Sequence, residues 1–249
     1  MRAETTWRLF DVGEWDAVLA ASDEVRRWFG SRGSGQPLLI AGTTEARVRA
    51  LRGELDRAAE LMDELLPAAR ESKDVQAYRP ALGTASLIAL ERGRCEEAMS
   101  LLNELGGELD QAKENRAYSL LEAMLLARAL GDLQQVDRFG IRPSDPRLAY
   151  PVAAAVALAV EAERAEAHGN HEEALRRFVE AEETWSALGH VFHRGLALLG
   201  QARCLSALGR PAKAEGPARE AEVIFAGLRA RSLAGQARAL LPGASTLSS

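Results

Sequence analysis

Aromatic residues are scarce in this 249-residue chain: they make up 5% of it, whereas hydrophobic residues make up 47%. The apolar content is carried by Ala, Leu and Val, and segments that read as strands are nearly absent. Sandwiches and barrels depend on β-branched and aromatic strands, whereas small aliphatic residues suit closely packed helices. The composition therefore favours an all-α fold.

Cysteines and long apolar runs are also few. The two cysteines, Cys95 and Cys204, have neither a metal-ligand nor a redox spacing, and we predict both as small core residues of a protein in a reducing compartment. The most apolar run, 148–160, is 13 residues long, shorter than the roughly 20 residues that a membrane span needs. The N-terminal segment lacks the apolar region of a secretion signal. These features predict a cytoplasmic protein without membrane contact.

A basic excess is missing, since the net charge is −5. Direct binding of nucleic acid, including helical-repeat RNA binding, is therefore disfavoured. Charge is nevertheless uneven, with −5 over residues 150–190 and +5 over residues 191–249. Two interpretations stay open: ion pairs across a repeat boundary, or a basic end that docks an acidic partner or the acidic end of another copy, which would make a homo-oligomer.

A repeat is present instead. Six glycines recur at intervals of 38 or 40 residues, and each is followed five residues later by Val or Ala. The six are Gly13, Gly53, Gly93, Gly131, Gly169 and Gly209. Helical apolar periodicity precedes and follows each glycine, and a glycine between two such segments is typical of a break in a helix. The repeating unit is therefore predicted to be helix, tight turn, helix, and stacking of such units would bury their apolar faces.

This pattern resembles the tetratricopeptide repeat (TPR). The family has a small residue in the middle of the first helix, matched by Ala46, Ser86, Ala162 and Ala202 with Met124 as the misfit, and an alanine after the turn, matched by Ala58, Ala98, Ala174 and Ala214. The aromatic residue of the family's turn remains only as Trp15, and the period exceeds the family's usual 34 residues. The resemblance implies an all-α, right-handed superhelical solenoid of about six TPR-like helix pairs with a C-terminal capping helix.

In its alanine-rich, long and degenerate repeats the array is similar to the C-terminal repeat regions of large bacterial regulators, namely LuxR-type transcription factors and nucleotide cyclases. We predict a TPR-like α-solenoid over residues 1–241, with a possible hinge at 140–151, and a disordered tail at 242–249. The stretch from Gly30 to Pro37 is predicted to be a connecting loop.

Motifs for catalysis or cofactors do not emerge. The "GSRGSG" stretch lacks the ending of a phosphate-binding loop, and "HEEAL" lacks the second histidine of a zinc-protease helix. His168 with His171, and His190 with His193, are each spaced like metal ligands, but the two pairs would lie roughly 25 to 30 Å apart along one helix. Ordinary turn polarity is the preferred interpretation of both pairs. We predict no metal, no cofactor and no enzymatic activity.

Stacked helix pairs offer a concave surface, which the resemblance assigns to the first helix of each pair. The sequence therefore predicts a protein–protein interaction module that binds a peptide or protein in this groove, in signalling or transcription regulation. The alternative is an effector-sensing module of a larger transcription regulator or nucleotide cyclase. Tyr and Arg dominate hot spots. The predicted partner-binding residues, taken as outward-facing, are Thr43, Thr44, Arg47, Tyr118, Glu122, Arg128, Glu163, Glu166 and Arg203.

Overall fold

The computed structural model describes residues 4–29, 35–112, 117–140 and 151–242, and within these ranges it is helical without strands. The chain divides between Ala112 and Lys113 into two compact units. Unit 1 contains α1 (Glu4–Asp11), α2 (Trp15–Phe29), α3 (Gln36–Leu51), α4 (Leu55–Ser72), α5 (Val75–Glu91) and α6 (Cys95–Gln111). Unit 2 contains α7 (Ala117–Ala129), α8 (Leu133–Arg138), α9 (Pro151–Ala167), α10 (His171–Leu188), α11 (Val191–Ala207), α12 (Pro211–Leu228) and α13 (Arg231–Ala239).

The six repeat glycines are the turns inside the helix pairs. Each has a positive φ, between 70° and 84°, a left-handed conformation that is strained for residues with a Cβ. At Gly93 the turn is closed by hydrogen bonds from the Gly93 N–H to the Leu90 carbonyl (2.9 Å) and from the Arg94 N–H to the Ala89 carbonyl (2.8 Å). The predicted helix–turn–helix unit is confirmed.

The small residues of the repeat lie where the two helices of a pair touch. All six residues that stand five positions after a turn glycine are completely buried: Val18, Ala58, Ala98, Val136, Ala174 and Ala214. In one pair the Ser86 hydroxyl donates to the Ala98 carbonyl at 2.8 Å, which joins the middle of α5 to α6. Met124, the misfit to the family pattern, is also fully buried, so it occupies the same core position.

The two helices of each pair belong to different layers. Neighbouring first helices contact each other, α1 with α3 and α3 with α5 in unit 1, and α7 with α9 and α9 with α11 in unit 2. Among the described residues, the backbones of neighbouring second helices lie farther apart than those of neighbouring first helices. Helices on the inner side of a curved stack lie closer together, so the first helices form the inner layer of each unit. The predicted capping helix is α13, which packs on α12 and α11.

Ion pairs fix the register from one repeat to the next. In three places an acidic residue in the first turn of a second helix pairs with an arginine at the turn of the following repeat. These pairs are Asp16 with Arg52 (2.8 Å), Asp56 with Arg92 (2.5 Å) and Glu172 with Arg210 (2.5 Å). In unit 2, the acidic stretch 150–190 and the basic stretch 191–249 meet in such pairs, as the intramolecular interpretation of the charge asymmetry requires.

One core prediction is wrong. Cys204 is buried, and burial raises the pKa of its thiol to about 12. Cys95, by contrast, is exposed because it is the first residue of α6, beside the open turn at Gly93. No helix of the described part is both long and apolar enough to cross a bilayer.

Several predicted features lie outside the described residues. They are 30–34 of the predicted loop, 141–150 of the predicted hinge, and the predicted tail beyond residue 242.

Candidate partner-binding face

The nine predicted partner-binding residues all lie on first helices, three on α3 of unit 1 and six on α7, α9 and α11 of unit 2. Four of them are not outward-facing, and the expectation that they are exposed is wrong. Their exposed fractions are 3% for Thr43, 5% for Thr44, 6% for Glu122 and 3% for Glu163. The reason is helix packing: α3, α7 and α9 each contact the second helix of their own pair as well as neighbouring first helices, and this covers positions that the resemblance had assigned to an open groove.

On α3 the predicted residues serve mainly to pack unit 1. The Thr44 hydroxyl donates to the Ile40 carbonyl of its own helix at 2.8 Å. The Arg47 guanidinium lies over the Phe10 ring of α1, 5.2 Å from its centroid, which is a cation–π contact between neighbouring first helices. Arg47 remains partly exposed.

Four predicted residues of unit 2 come together as one cluster, which we call the charge cluster: Arg128, Glu163, Glu166 and Arg203. Arg203 donates twice to Glu166, at 2.7 Å from both Nε and Nη2. Arg128 pairs with Glu163 through its Nε and lies 3.3 Å from Glu166 through its Nη1. The Nη2 of Arg203 lies 3.6 Å from Glu163. The charge cluster therefore joins α7, α9 and α11, three successive helices of the inner layer.

Burial and pairing oppose each other in the charge cluster. Burial raises the pKa of Glu163 above its ordinary value, and the charges of Arg128 and Arg203 offset only part of that rise. Burial is also the largest single influence on Glu166 and acts in the same direction, but the hydrogen bonds from Arg203 and the charges of Arg203 and Arg128 together outweigh it, and the pKa of Glu166 is lowered. With two carboxylates and two guanidiniums the charges balance, as buried ions require.

Tyr118 is the most exposed of the nine predicted residues, with 41% of its surface accessible. Its ring is nearly parallel to that of His190, with an interplanar angle of 4° and centroids 6.3 Å apart, and its hydroxyl lies 3.3 Å from the His190 Nδ1. Behind them Trp185, which is 1% exposed, stacks against both His190 and His193. We call these four residues the aromatic stack. Burial lowers the pKa of His190, which favours the neutral imidazole.

The aromatic stack was missed in the sequence, where the two histidines were read as turn polarity. A signal was available in the repeat register. Trp185 lies four residues before Gly189, the glycine that ends α10 with a φ of 72°, and is therefore close in sequence to His190 and His193. Glu45 was also missed. It is 1% exposed and paired with Arg26 of α2 and Arg49 of its own helix, and it stands beside the core residue Ala46.

The sequence matches no protein-family model and no curated protein. Its structure is similar to a Rap protein complexed with Competence and Sporulation Factor, with a TM-score of 0.58 and 16% identity over 95% of this chain and 68% of the other. For the apo form of RapI the TM-score is 0.53, with 13% identity over 96% and 68%. A tetratricopeptide repeat protein from Parabacteroides merdae gives 0.47, with 16% identity over 99% and 91%. The fold of the chain is that of a TPR-like all-α helical-repeat protein.

Proposed function

We propose that the chain is a non-enzymatic interaction module that binds a peptide or a protein on the inner layer of unit 2. The observation that carries this proposal is Tyr118, an exposed aromatic residue on the first helix α7 whose ring is held in place by the aromatic stack. A rigid aromatic side chain loses little conformational entropy on binding, and tyrosine is enriched among hot spots.

The charge cluster has a supporting role in this proposal. The side chains of Arg128 and Arg203 are 26% and 22% exposed, and their guanidiniums already bind Glu163 and Glu166. A partner that lies along the inner layer therefore meets a fixed tyrosine at the start of α7 and fixed arginine edges near its end, roughly 15 Å further along the helix. Such preorganisation reduces the entropic cost of association.

A role in signalling or transcription regulation is the finer part of the proposal. It is supported by the Rap protein complexed with Competence and Sporulation Factor, whose helical-repeat fold this chain resembles. The alternative proposal is an effector-sensing module that belongs to a larger regulator, such as a LuxR-type transcription factor or a nucleotide cyclase, with the bound effector as the input signal.

A pull-down from host lysate tests the main proposal. Wild type, Tyr118→Ala and a control, Val223→Ala, are compared by mass spectrometry after circular dichroism has shown equal helicity. Val223 is 68% exposed on α12, a second helix of the same unit, so its truncation removes apolar surface from the outer layer. We expect Tyr118→Ala to lose at least nine tenths of the partner that wild type and Val223→Ala retain.

Equal retention by all three proteins, or an equal loss in the control, would contradict the proposed face. Small-effector sensing is separated by a thermal-shift screen, because a ligand that binds only the folded state raises the melting temperature. A metabolite that stabilises wild type, with no specific protein retained in the pull-down, would favour the effector-sensing alternative.

A further inference from the structure

The two histidines of the aromatic stack share the first turn of one helix. His190 is the N-cap residue of α11 and His193 lies three residues further on, and ligand nitrogens of the two rings lie within 4.8 Å of each other. The buried ring of Trp185 packs against both, with centroids 5.4 Å from His190 and 4.7 Å from His193. Packing of this kind holds both imidazoles near one position before any ligand arrives.

A third donor atom is close to them. The Tyr118 hydroxyl oxygen on α7 lies 3.3 Å from the His190 Nδ1. Two ligands bound 2.0 to 2.1 Å from one tetrahedral zinc ion are themselves about 3.3 Å apart. Tyr118 and His190 therefore already have the separation of two ligands of one ion, and the His193 ring, whose centroid is 5.6 Å from that of Tyr118, supplies the third ligand.

We propose that His190, His193 and the Tyr118 oxygen bind a divalent transition-metal ion of the class that imidazole prefers, Zn²⁺ or Cu²⁺, with solvent completing the coordination. Neutral imidazole and phenolate are the binding forms of these groups, so the phenol proton passes to solvent when the ion binds. The ion would replace the hydrogen bond between Tyr118 and His190 and join α7 to the start of α11. This site goes beyond the proposed function and does not depend on it.

The chain provides a matched control in its other histidine pair. His168 and His171 have the same spacing and lie at the turn between α9 and α10. The His168 Nε2 is 2.9 Å from Asp137, but the Arg164 Nε also binds that carboxylate at 3.1 Å. A guanidinium beside the carboxylate opposes a second cation, so we expect this pair to bind metal much more weakly.

Isothermal titration of Zn²⁺ into the full chain, freed of metal by a chelator, tests the site. We expect saturable one-to-one binding by wild type. His190→Gln and His193→Gln should each weaken it at least tenfold, and Tyr118→Phe should weaken it several-fold. The double variant His168→Gln, His171→Gln should bind as wild type does.

Three outcomes would overturn the proposal: no saturable binding by wild type, unchanged binding in His190→Gln and Tyr118→Phe, or an equal loss in the control double variant. His193 is buried, so its variant is interpreted only if circular dichroism shows a native helix content; otherwise the half-buried His190 and Tyr118 decide.

Discussion

Both units bury a glutamate on a first helix, yet they pair it differently. In unit 1, Glu45 binds Arg26 and Arg49, and Arg49 also binds the Glu54 carboxylate at 2.6 Å. Each of the two arginines also has a second carboxylate of its own, Glu54 for Arg49 and Asp23 for Arg26, the latter at 4.0 Å. The ion pair of Glu45 with Arg26 therefore joins α2 to α3, and the ion pairs of Arg49 connect residues of one and the same repeat.

In unit 2 the charge cluster runs across the layer instead of along one repeat. Arg203 has its bidentate partner in Glu166, lies over the Phe178 ring at 6.0 Å from the centroid, and is 22% exposed. Its next carboxylate, Glu163, is 3.6 Å away. The comparison indicates that the free energy lost when a buried carboxylate is removed depends on whether its arginine has another partner, rather than on how deeply the carboxylate is buried.

The largest expected effect tests this directly. Glu166→Ala removes both short bonds of Arg203 and leaves Arg128 and Arg203 to share one carboxylate, Glu163, which costs roughly 3 to 5 kcal/mol. Glu45→Ala leaves Arg49 with Glu54 and Arg26 with Asp23, so about 1 to 2 kcal/mol is expected. Thermal melting followed by circular dichroism should show the larger drop for Glu166→Ala.

The comparison fails if Glu45→Ala melts as low as Glu166→Ala. Glu166→Gln serves as the control for packing, because the amide keeps the shape of the side chain and can still accept from Arg203. We expect it to be destabilised less than Glu166→Ala but more than wild type.

Two glycines of the inner layer, one in each unit, allow a second comparison. A Cβ at Gly200 of α11 would lie 2.5 to 2.6 Å from three atoms of the Phe178 ring, whereas a Cβ at Gly42 of α3 would meet the end of the Leu65 side chain at 2.7 Å. A buried ring cannot move aside as easily as a leucine methyl can. Gly200→Ala is therefore expected to lose roughly 1 to 3 kcal/mol, and Gly42→Ala clearly less. Equal urea midpoints for the two variants would contradict this expectation.

Much of this fold could be predicted from the sequence because the repeat is defined by conformational requirements of the backbone and by close helix contacts. A glycine such as Gly93 marks a left-handed turn, and a small residue such as Ala98 marks the close contact of two helices. Both constraints are local, so they survive in a single sequence. The exposure of Cys95 was missed because the sequence does not show which side of the turn is covered by a neighbouring helix.

The candidate site was less predictable. Spacing correctly put the residues on first helices, but Thr43 and Glu122 are covered by neighbouring helices whose approach the sequence does not state. The contact of Tyr118 with His190 joins residues 72 positions apart, across a full repeat. Periodicity within one helix contains no information on such a contact.

A smaller effect concerns the second helices of unit 1, where Glu104 of α6 binds Arg70 of α4. The hydrogen bonds from Arg70 lower the pKa of Glu104 below its ordinary 4.5, and Tyr78 also donates to it. A carboxyl with a lowered folded pKa stabilises above its unfolded pKa, and this stabilisation is lost as the pH falls through the folded pKa. Wild type should therefore melt above Glu104→Gln at pH 7, by less than about 1 kcal/mol for such an exposed pair.

The difference between wild type and Glu104→Gln should shrink as the pH falls below the ordinary range of a glutamate, and it should vanish once the pH lies below the lowered pKa of Glu104. A gap that stays constant from neutral to acid pH would show that packing of the side chain, and not its charge, is responsible. Tyr78→Phe provides the control, because it removes one donor to Glu104 and leaves the arginine in place.

The last comparison concerns the ends of the second helices, where three residues occupy the same left-handed C-cap position. Gly189 ends α10 with a φ of 72°, but Lys73 ends α4 with a φ of 54° and Arg229 ends α12 with a φ of 60°. A residue with a Cβ is destabilised by about 1 kcal/mol or more in this conformation. Replacement by glycine removes this strain, but part of the gain is lost because glycine has more conformational freedom in the unfolded chain.

Lys73→Gly in unit 1 should therefore stabilise by roughly 0.5 kcal/mol, while Gly189→Ala in unit 2 should destabilise by about 1 kcal/mol. Urea midpoints at constant slope measure these differences. If Lys73→Gly lowers the midpoint, the lysine contributes more through its side chain than its backbone strain costs, and the end of α4 differs from the end of α10 in more than its residue type.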